Sequence, residues 1–328
     1  MTEITYNLIV RVVGMNNKKM YEKADRIKVS TFEEALFKCK SIRNKDSDTP
    51  YIIEVETGHI EDEIKFKYSN FWIVGETPIV IISNLSARSK DKNGKDLTTW
   101  RTPVLKVMGD NCIFENFEVS NIAGNPEQNG QQVALAVYGN NNLFFNCKMS
   151  STQDTLFVGP LPDDLITRYN SFLPDDERLI EGNLRNVFSH CKIEGTIDFV
   201  FGAGQALFTR CELVSLETDK QTYVTAPAHS LKDSVGFVFF DCKFTSTGSD
   251  QSVYLSRPWR DYGKCVFIYC YYGNHIKDEG FLNWKGTSRN WSARYEEYPF
   301  VNGRVPWVKD TRNKKIPDRY VEMIKEAE

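Results

Sequence analysis

Six polar or aromatic residues stand where a packed chain has no structural need of them, and their types suit acid–base or nucleophilic chemistry. Asp198 interrupts "TIDFVFG" (196–202), a run whose Ile197, Phe199, Val200 and Phe201 read as buried strand. An ionised carboxylate there is costly unless a cation or hydrogen-bond donors meet it. Asp154 opens an apolar stretch in "STQDTLF" (151–157), next to Gln153, and Gln131 leads "QQVAL" (131–135). Arg257 and Trp259 flank a proline in "YLSRPWRDYGK" (254–264). Carboxylates can attack, or carry protons; amides can hold an oxyanion; an arginine can keep a carboxylate ionised. Taken singly each residue has a plainer reading. A strand aspartate can be a hydrogen-bonded corner residue, glutamines form ladders in stacked coils, an arginine pairs at a surface, and Trp259, Phe157 and Phe201 pack.

Other chemistries find less support. There is no C-x-x-C pair, H-E-x-x-H or G-x-S-x-G, and the four histidines (59, 190, 229, 275) lie outside these segments. A metal site and a serine triad therefore have no sequence basis. The formal net charge of -3 over 328 residues argues against nucleic acid as a partner. The most apolar window, "FWIVGETPIVIIS" (71–83), contains Glu76 and is too short to span a bilayer, so no membrane association is expected.

The elements that must position these residues are announced by a repeat. "LFFNCKM" (143–149), "VFSHCKI" (187–193), "LFTRCEL" (207–213), "VFFDCKF" (238–244) and "VFIYCYY" (266–272) share one pattern, and "IFENFEV" (113–119) matches it with Phe117 in the cysteine place. The matching positions 117, 147, 191, 211, 242 and 270 recur at irregular intervals of 20 to 44 residues. A solenoid that stacks like side chains coil upon coil produces this. The strand-rich segments with Asn and Gly at corners predict an all-β, right-handed parallel β-helix whose cysteines are buried free thiols. The 44-residue interval holds "GPLPDDLITRYNSFLPDDERLIEG", an inserted loop expected at 159–182. Ser30 with Glu33 predicts a capping box opening a helix over 30–43 that covers the end of the solenoid. A charged tail over 303–328 is expected to end in a helix packed outside. No linker interrupts the chain, so one domain over 1–328 is expected.

In order along the chain, "QQVAL", "QDTLF", "GTIDFVFG" and "LSRPW" resemble the motifs of the pectin methylesterase family of carbohydrate esterases, Q-A-V-A-L, Q-D-T-L-Y, G-T-V-D-F-I-F-G and L-G-R-P-W. The resemblance runs from about Thr99 to Tyr298. Phe157 and Ser256 depart from the family's tyrosine and glycine. The resemblance implies a parallel β-helix and hydrolysis of the C6 methyl ester of methylated galacturonan or oligogalacturonide, without cofactor. It implies Asp198 as nucleophile, Asp154 as acid/base, Gln131 and Gln153 at the oxyanion and Arg257 orienting Asp198. Trp259, Phe157 and Phe201 would offer faces to sugar rings. A glycosidase or lyase on polygalacturonate and a non-catalytic carbohydrate-binding solenoid are the rival readings. The start "MTEITYNLIVRVVGM" lacks the pattern of a secretory leader, and the cysteines suit a reducing compartment. A cytoplasmic monomer is expected, with a secreted form whose leader was removed as the alternative.

Overall fold

Stacked parallel strands dominate the computed structural model, which describes residues 18–45, 48–160, 163–168 and 184–327. One sheet has seven strands, running through Ile64–Phe66, Leu105–Val107, Leu135–Val137, Leu156–Val158, Ile197–Gly202, Thr222–Pro227 and Val253–Ser256. All neighbours in it are parallel. The second sheet has fifteen strands and bends at a corner, because Ile113–Asn121 continues through the bend and pairs with Leu143–Phe145 on one side and Lys148–Ser150 on the other. An apolar column fills the interior from Val29 to Val308. The coils wind as the right-handed parallel β-helix expected from the repeat.

The repeat is legible as corner chemistry. The residue before each marked position adopts a left-handed backbone: Asn116, Asn146, His190, Arg210, Asp241 and Tyr269 have φ between 49° and 63°. That conformation turns the chain from one face to the next. The cysteine that follows points inward, and its thiol donates to a phenylalanine carbonyl one coil back. Cys147 meets Phe114 O, Cys191 meets Phe144 O, Cys211 meets Phe188 O and Cys242 meets Phe208 O, each at 3.3 Å. Beside them run stacked rings: Phe114, Phe144, Phe188, Phe208, Phe239 and Phe267 lie 4.6–5.2 Å apart in nearly parallel planes. A small apolar side chain with one weak donor fills these rungs, while Phe117, the first of the marked positions, packs against Phe32 of the capping helix instead.

All eight cysteines are free, and burial raises the thiol pKa throughout the ladder. A thiol reagent should therefore titrate eight groups in denatured, unreduced protein and very few in the folded state, Cys270 reacting first as the least buried. A denatured count clearly below eight would contradict the ladder.

The capping helix forms at Phe32–Arg43, one residue later than Ser30 and Glu33 predict. Strand Asp25–Thr31 runs on through Ser30, so Thr31 is the N-cap and accepts from Glu34 N, while the Glu34 carboxylate accepts from Ser30 N at 2.9 Å. Phe32, Ala35 and Cys39 are buried, and Phe32 meets Phe117 edge-to-face at 5.4 Å, closing the column. The C-terminal helix Asp318–Ala327 lays Tyr320, Met323, Ile324 and Ala327 on the outer face of the larger sheet, against a cluster with Leu143, Val187, Leu207 and Val238. Most of the loop expected at 159–182 lies outside the described residues; the helix Asp163–Arg168 within it is described.

Glu115 is an acid buried among these coils. Desolvation pushes its carboxyl from 4.5 to about 7, against the Trp72 indole N–H that donates to it at 3.1 Å. A raised acid costs nothing below its unfolded pKa of 4.5; the cost grows to about pH 7 and is constant above, roughly 3 kcal/mol at most. Glu115→Gln should raise the melting temperature at pH 8 and leave it nearly unchanged at pH 4.5. An equal effect at both pH values would contradict this.

Candidate active site

The seven-stranded sheet presents the polar segments on its outer face. Ordinary alternation would point Asp198 and Val200 the same way. Instead the register with the next coil slips: Ile197 pairs with Tyr223, yet Val200 pairs with Thr225. The extra residue is a bulge, and Asp198 sits in it with φ 52°. Phe199 and Val200 both join the interior column, which leaves Asp198 and Phe201 facing out. On the preceding coil Asp154 also takes a left-handed backbone, φ 64°, and its N–H donates to Ile197 O at 3.0 Å. Strained backbone of this kind persists where the surroundings impose it, and it concentrates at functional sites.

Arg257, just after strand Val253–Ser256, closes the arrangement. Its Nε donates to Asp198 Oδ1 at 2.9 Å and its Nη2 to Oδ2 at 2.6 Å, a two-pronged ion pair. Asp198 and Asp154 are 6% and 9% exposed. Burial moves the Asp198 carboxyl upward, opposed by the charge and hydrogen bonds of Arg257. Asp154 is driven well above the usual carboxylate range, first by burial and then by the charge of Asp198; Arg257 and a hydrogen bond from Gln153 pull the other way. Both carboxyls are raised, Asp154 with the charge of Asp198 adding to its burial and Asp198 with the guanidinium fork favouring its ionised form.

A cleft of about 320 Å³ opens over the pair, lined by Thr99, Trp100, Gln131, Gln153, Asp154, Asp198, Phe201, Ala226, Arg257, Trp259 and Trp284. The structure thus brings seven of the eight sequence-predicted residues to one cleft. The exception is Phe157. It is 1% exposed and packs beneath Trp100 and Phe201 at ring distances of 5.0 and 5.1 Å, so it supports the cleft wall instead of lining it. Alternation sends Leu156 and Val158 to the interior and Phe157 outward on the same side as its partner Phe201, but Trp100 and Tyr138, with rings 5.0 and 5.2 Å away, cover Phe157. Ser256 is fully buried and donates to the Tyr295 hydroxyl at 2.9 Å, away from the cleft. Trp100 and Trp284 were missed. Both come from irregular segments, and a tryptophan among polar residues, as in "LTTWR" and "LNWKG", was their only signal. Among the described residues no cluster of three His, Cys, Asp or Glu could hold a metal, and no helix is long and apolar enough to cross a membrane.

Fold and site together define a right-handed parallel β-helix protein with a paired-aspartate cleft on its seven-stranded face. The chain belongs to the pectinesterase family, whose model matches residues 22–160 and 175–312. The break between the two matched stretches falls inside the insertion expected at 159–182. Pectinesterase 31 of Arabidopsis thaliana is 32% identical over 211 residues, 62% of this chain and 58% of that protein. Putative pectinesterase/pectinesterase inhibitor 22 of the same plant is 30% identical over 270 residues, 78% of this chain and 44% of that protein. The chain thus spans about half the length of these curated relatives. Among solved structures, pectin methylesterase from carrot superposes with a TM-score of 0.68 at 19% identity, covering 91% of this chain and 90% of that one. A pectin methylesterase from Erwinia chrysanthemi gives 0.64 at 20% identity, covering 92% and 94%; another solved pectin methylesterase is in complex with a hexasaccharide.

These relatives correct the expectation of a cytoplasmic protein. They are plant pectinesterases of the cell wall or secreted type, which conflicts with a cytoplasmic location. Free buried cysteines misled the sequence reading, because thiols shielded inside a β-helix report packing, not compartment.

Proposed function

We propose that the chain hydrolyses the C6 methyl ester of methylated galacturonate units in pectin or its oligomers, giving a free carboxylate and methanol. One observation carries this reading: a carboxylate gripped at both oxygens by an arginine, beside a second buried carboxyl, on the floor of an aromatic-walled cleft. Membership of the pectinesterase family supports the substrate class.

In this mechanism an oxygen of ionised Asp198 attacks the ester carbonyl carbon. The side-chain amides of Gln131 and Gln153, which line the same cleft, donate to the oxyanion. The tetrahedral adduct collapses, the C–O bond to the methyl group's oxygen breaks, and Asp154 gives its proton to the departing methanol. Water then yields a proton to Asp154 and attacks the acyl carbon of the mixed anhydride, releasing Asp198 as carboxylate and the galacturonate as acid. Arg257 keeps Asp198 ionised and oriented throughout. Trp259, Trp100, Trp284 and Phe201 give the sugar rings apolar faces. The test is methanol release from methylated galacturonan without new reducing ends and without a new ultraviolet-absorbing double bond. Reducing ends would indicate a glycosidase, the double bond a lyase, and no product at all a binding solenoid.

A further inference from the structure

The Arg257 guanidinium is itself held, between two rings. Its central carbon lies 3.8 Å from the centroid of Tyr223 and 4.3 Å from that of Trp284. The two rings are not equivalent. Trp284 lines the cleft, whereas Tyr223 does not and is 6% exposed. Tyr223 stands in strand Thr222–Pro227 opposite Ile197, the residue before the bulge that presents Asp198. Its ring stacks on Tyr254 of the next coil at 5.8 Å with planes 16° apart, and its hydroxyl donates to Gln221 Oε1 at 2.9 Å. Tyr223 is thus a ring fixed by its neighbour and at its edge, with the guanidinium against it.

A guanidinium grips both oxygens of a carboxylate only when the two planes nearly coincide. Arg257 reaches Asp198 on a flexible side chain, so something must choose that plane. A ring on each face does so, removes water from the charge, and adds the attraction of the ring quadrupole for the cation. We propose that Tyr223 is a positioning residue for ester cleavage: it acts through Arg257, holding the guanidinium in the plane that grips both oxygens of Asp198. This inference rests on the ester-hydrolysis reading of the site.

The electrostatic surroundings are simple enough to test it. Asp198 is faced by Arg257, Asp154, Tyr223 and Tyr295; beside Tyr223 stand Tyr254 and, against that ring, Lys277 and Glu279. Burial raises all three tyrosines above their ordinary value, so they stay neutral through the acid and neutral range, and among the groups that face Asp198 itself the two aspartates are those that change charge. Activity requires ionised Asp198 and fails as pH falls through its pKa. Loosening Arg257 weakens the hold on the ionised form and moves that acid limb to higher pH.

Tyr223→Leu should lower kcat about tenfold near neutral pH, leave KM within about twofold, and move the acid limb up by about one pH unit. Tyr223→Phe, which keeps the ring and loses only the hydroxyl, should return the limb to its wild-type place. An independent readout is the Asp198 carboxyl titrated by NMR in protein carrying labelled aspartate, which should move upward in the Leu variant with no substrate present. If Tyr223→Leu does not fold, Tyr223→Met fills the space without a π face and carries the same expectation. An unmoved limb and an unmoved Asp198 titration in a folded Leu or Met variant would overturn the proposal, as would the same displacement in Tyr223→Phe. Absence of methanol from the wild-type protein would instead remove the hydrolysis reading, while the carboxyl titration would still decide whether Tyr223 clamps Arg257.

Discussion

Asp198→Asn and Asp154→Asn should each cut methanol release from methylated galacturonan by on the order of 10⁴-fold or more, in proteins that remain folded. Asparagine is the substitution to make, because both positions hold a left-handed backbone that asparagine adopts readily and alanine does not. At position 154 an amide also imitates the protonated carboxyl that burial and Asp198 favour, so the melting temperature should barely change while the proton transfer is lost. At position 198 the amide cannot form the acyl intermediate, and it leaves Arg257 without its counter-charge. That variant should lose roughly 3 kcal/mol of stability together with its turnover. Circular dichroism and a melting curve establish that each variant is folded, and the methanol assay then reads the chemistry. Residual release within tenfold of wild type by either folded variant would remove that aspartate from the mechanism.

Arg257→Met should be the most costly change to stability at neutral pH, and its deficit should depend on pH in a definite direction. Methionine fits between the Tyr223 and Trp284 rings but carries no charge. Asp198 would then be a buried carboxylate beside Asp154 without the guanidinium that offsets its charge, a situation that costs roughly 3 kcal/mol or more. The sign follows from the pKa. The Asp198 carboxyl already lies above its ordinary 3.8 in the folded protein, and without the guanidinium it rises further. An acid raised by folding weakens the fold only where the unfolded chain would ionise it. The deficit of the variant should therefore be smallest near pH 4, widen as pH rises toward the new folded pKa, and stay constant above it. Turnover should fall steeply at neutral pH, because the nucleophile is protonated, and recover in part under alkaline conditions. Arg257→Lys keeps a charge but loses the fork and the ring contacts, so it should fall between the two. A pH-independent melting deficit, or neutral-pH turnover like the wild type's, would show that Arg257 does not set the state of Asp198.

The chain of 328 residues determined a great deal by itself. The cysteine rungs announced a β-helix because stacking demands the same small residue at the same place in every coil, and a demand repeated that often is visible in one dimension. The paired aspartates, the glutamines, Arg257 and Trp259 were legible for a related reason: a carboxylate or guanidinium in an apolar strand violates local preference and stands out. Tertiary structure decided the rest. Which of Phe157 and Phe201 lines the cleft turned on Trp100 and Tyr138, which cover Phe157, and the outward turn of Asp198 on one bulge; both are relations between coils that no single segment records. The helix is capped by Thr31 and not Ser30 because pairing with strand Tyr51–Ile60 carried the preceding strand one residue further. Trp284 and Tyr223 come from segments far apart in sequence, and only coil stacking sets them around Arg257, with Trp100 in the same cleft. The different electrostatic settings of Asp154 and Asp198 are tertiary as well, since they arise from shared burial, mutual repulsion and the side on which the arginine stands.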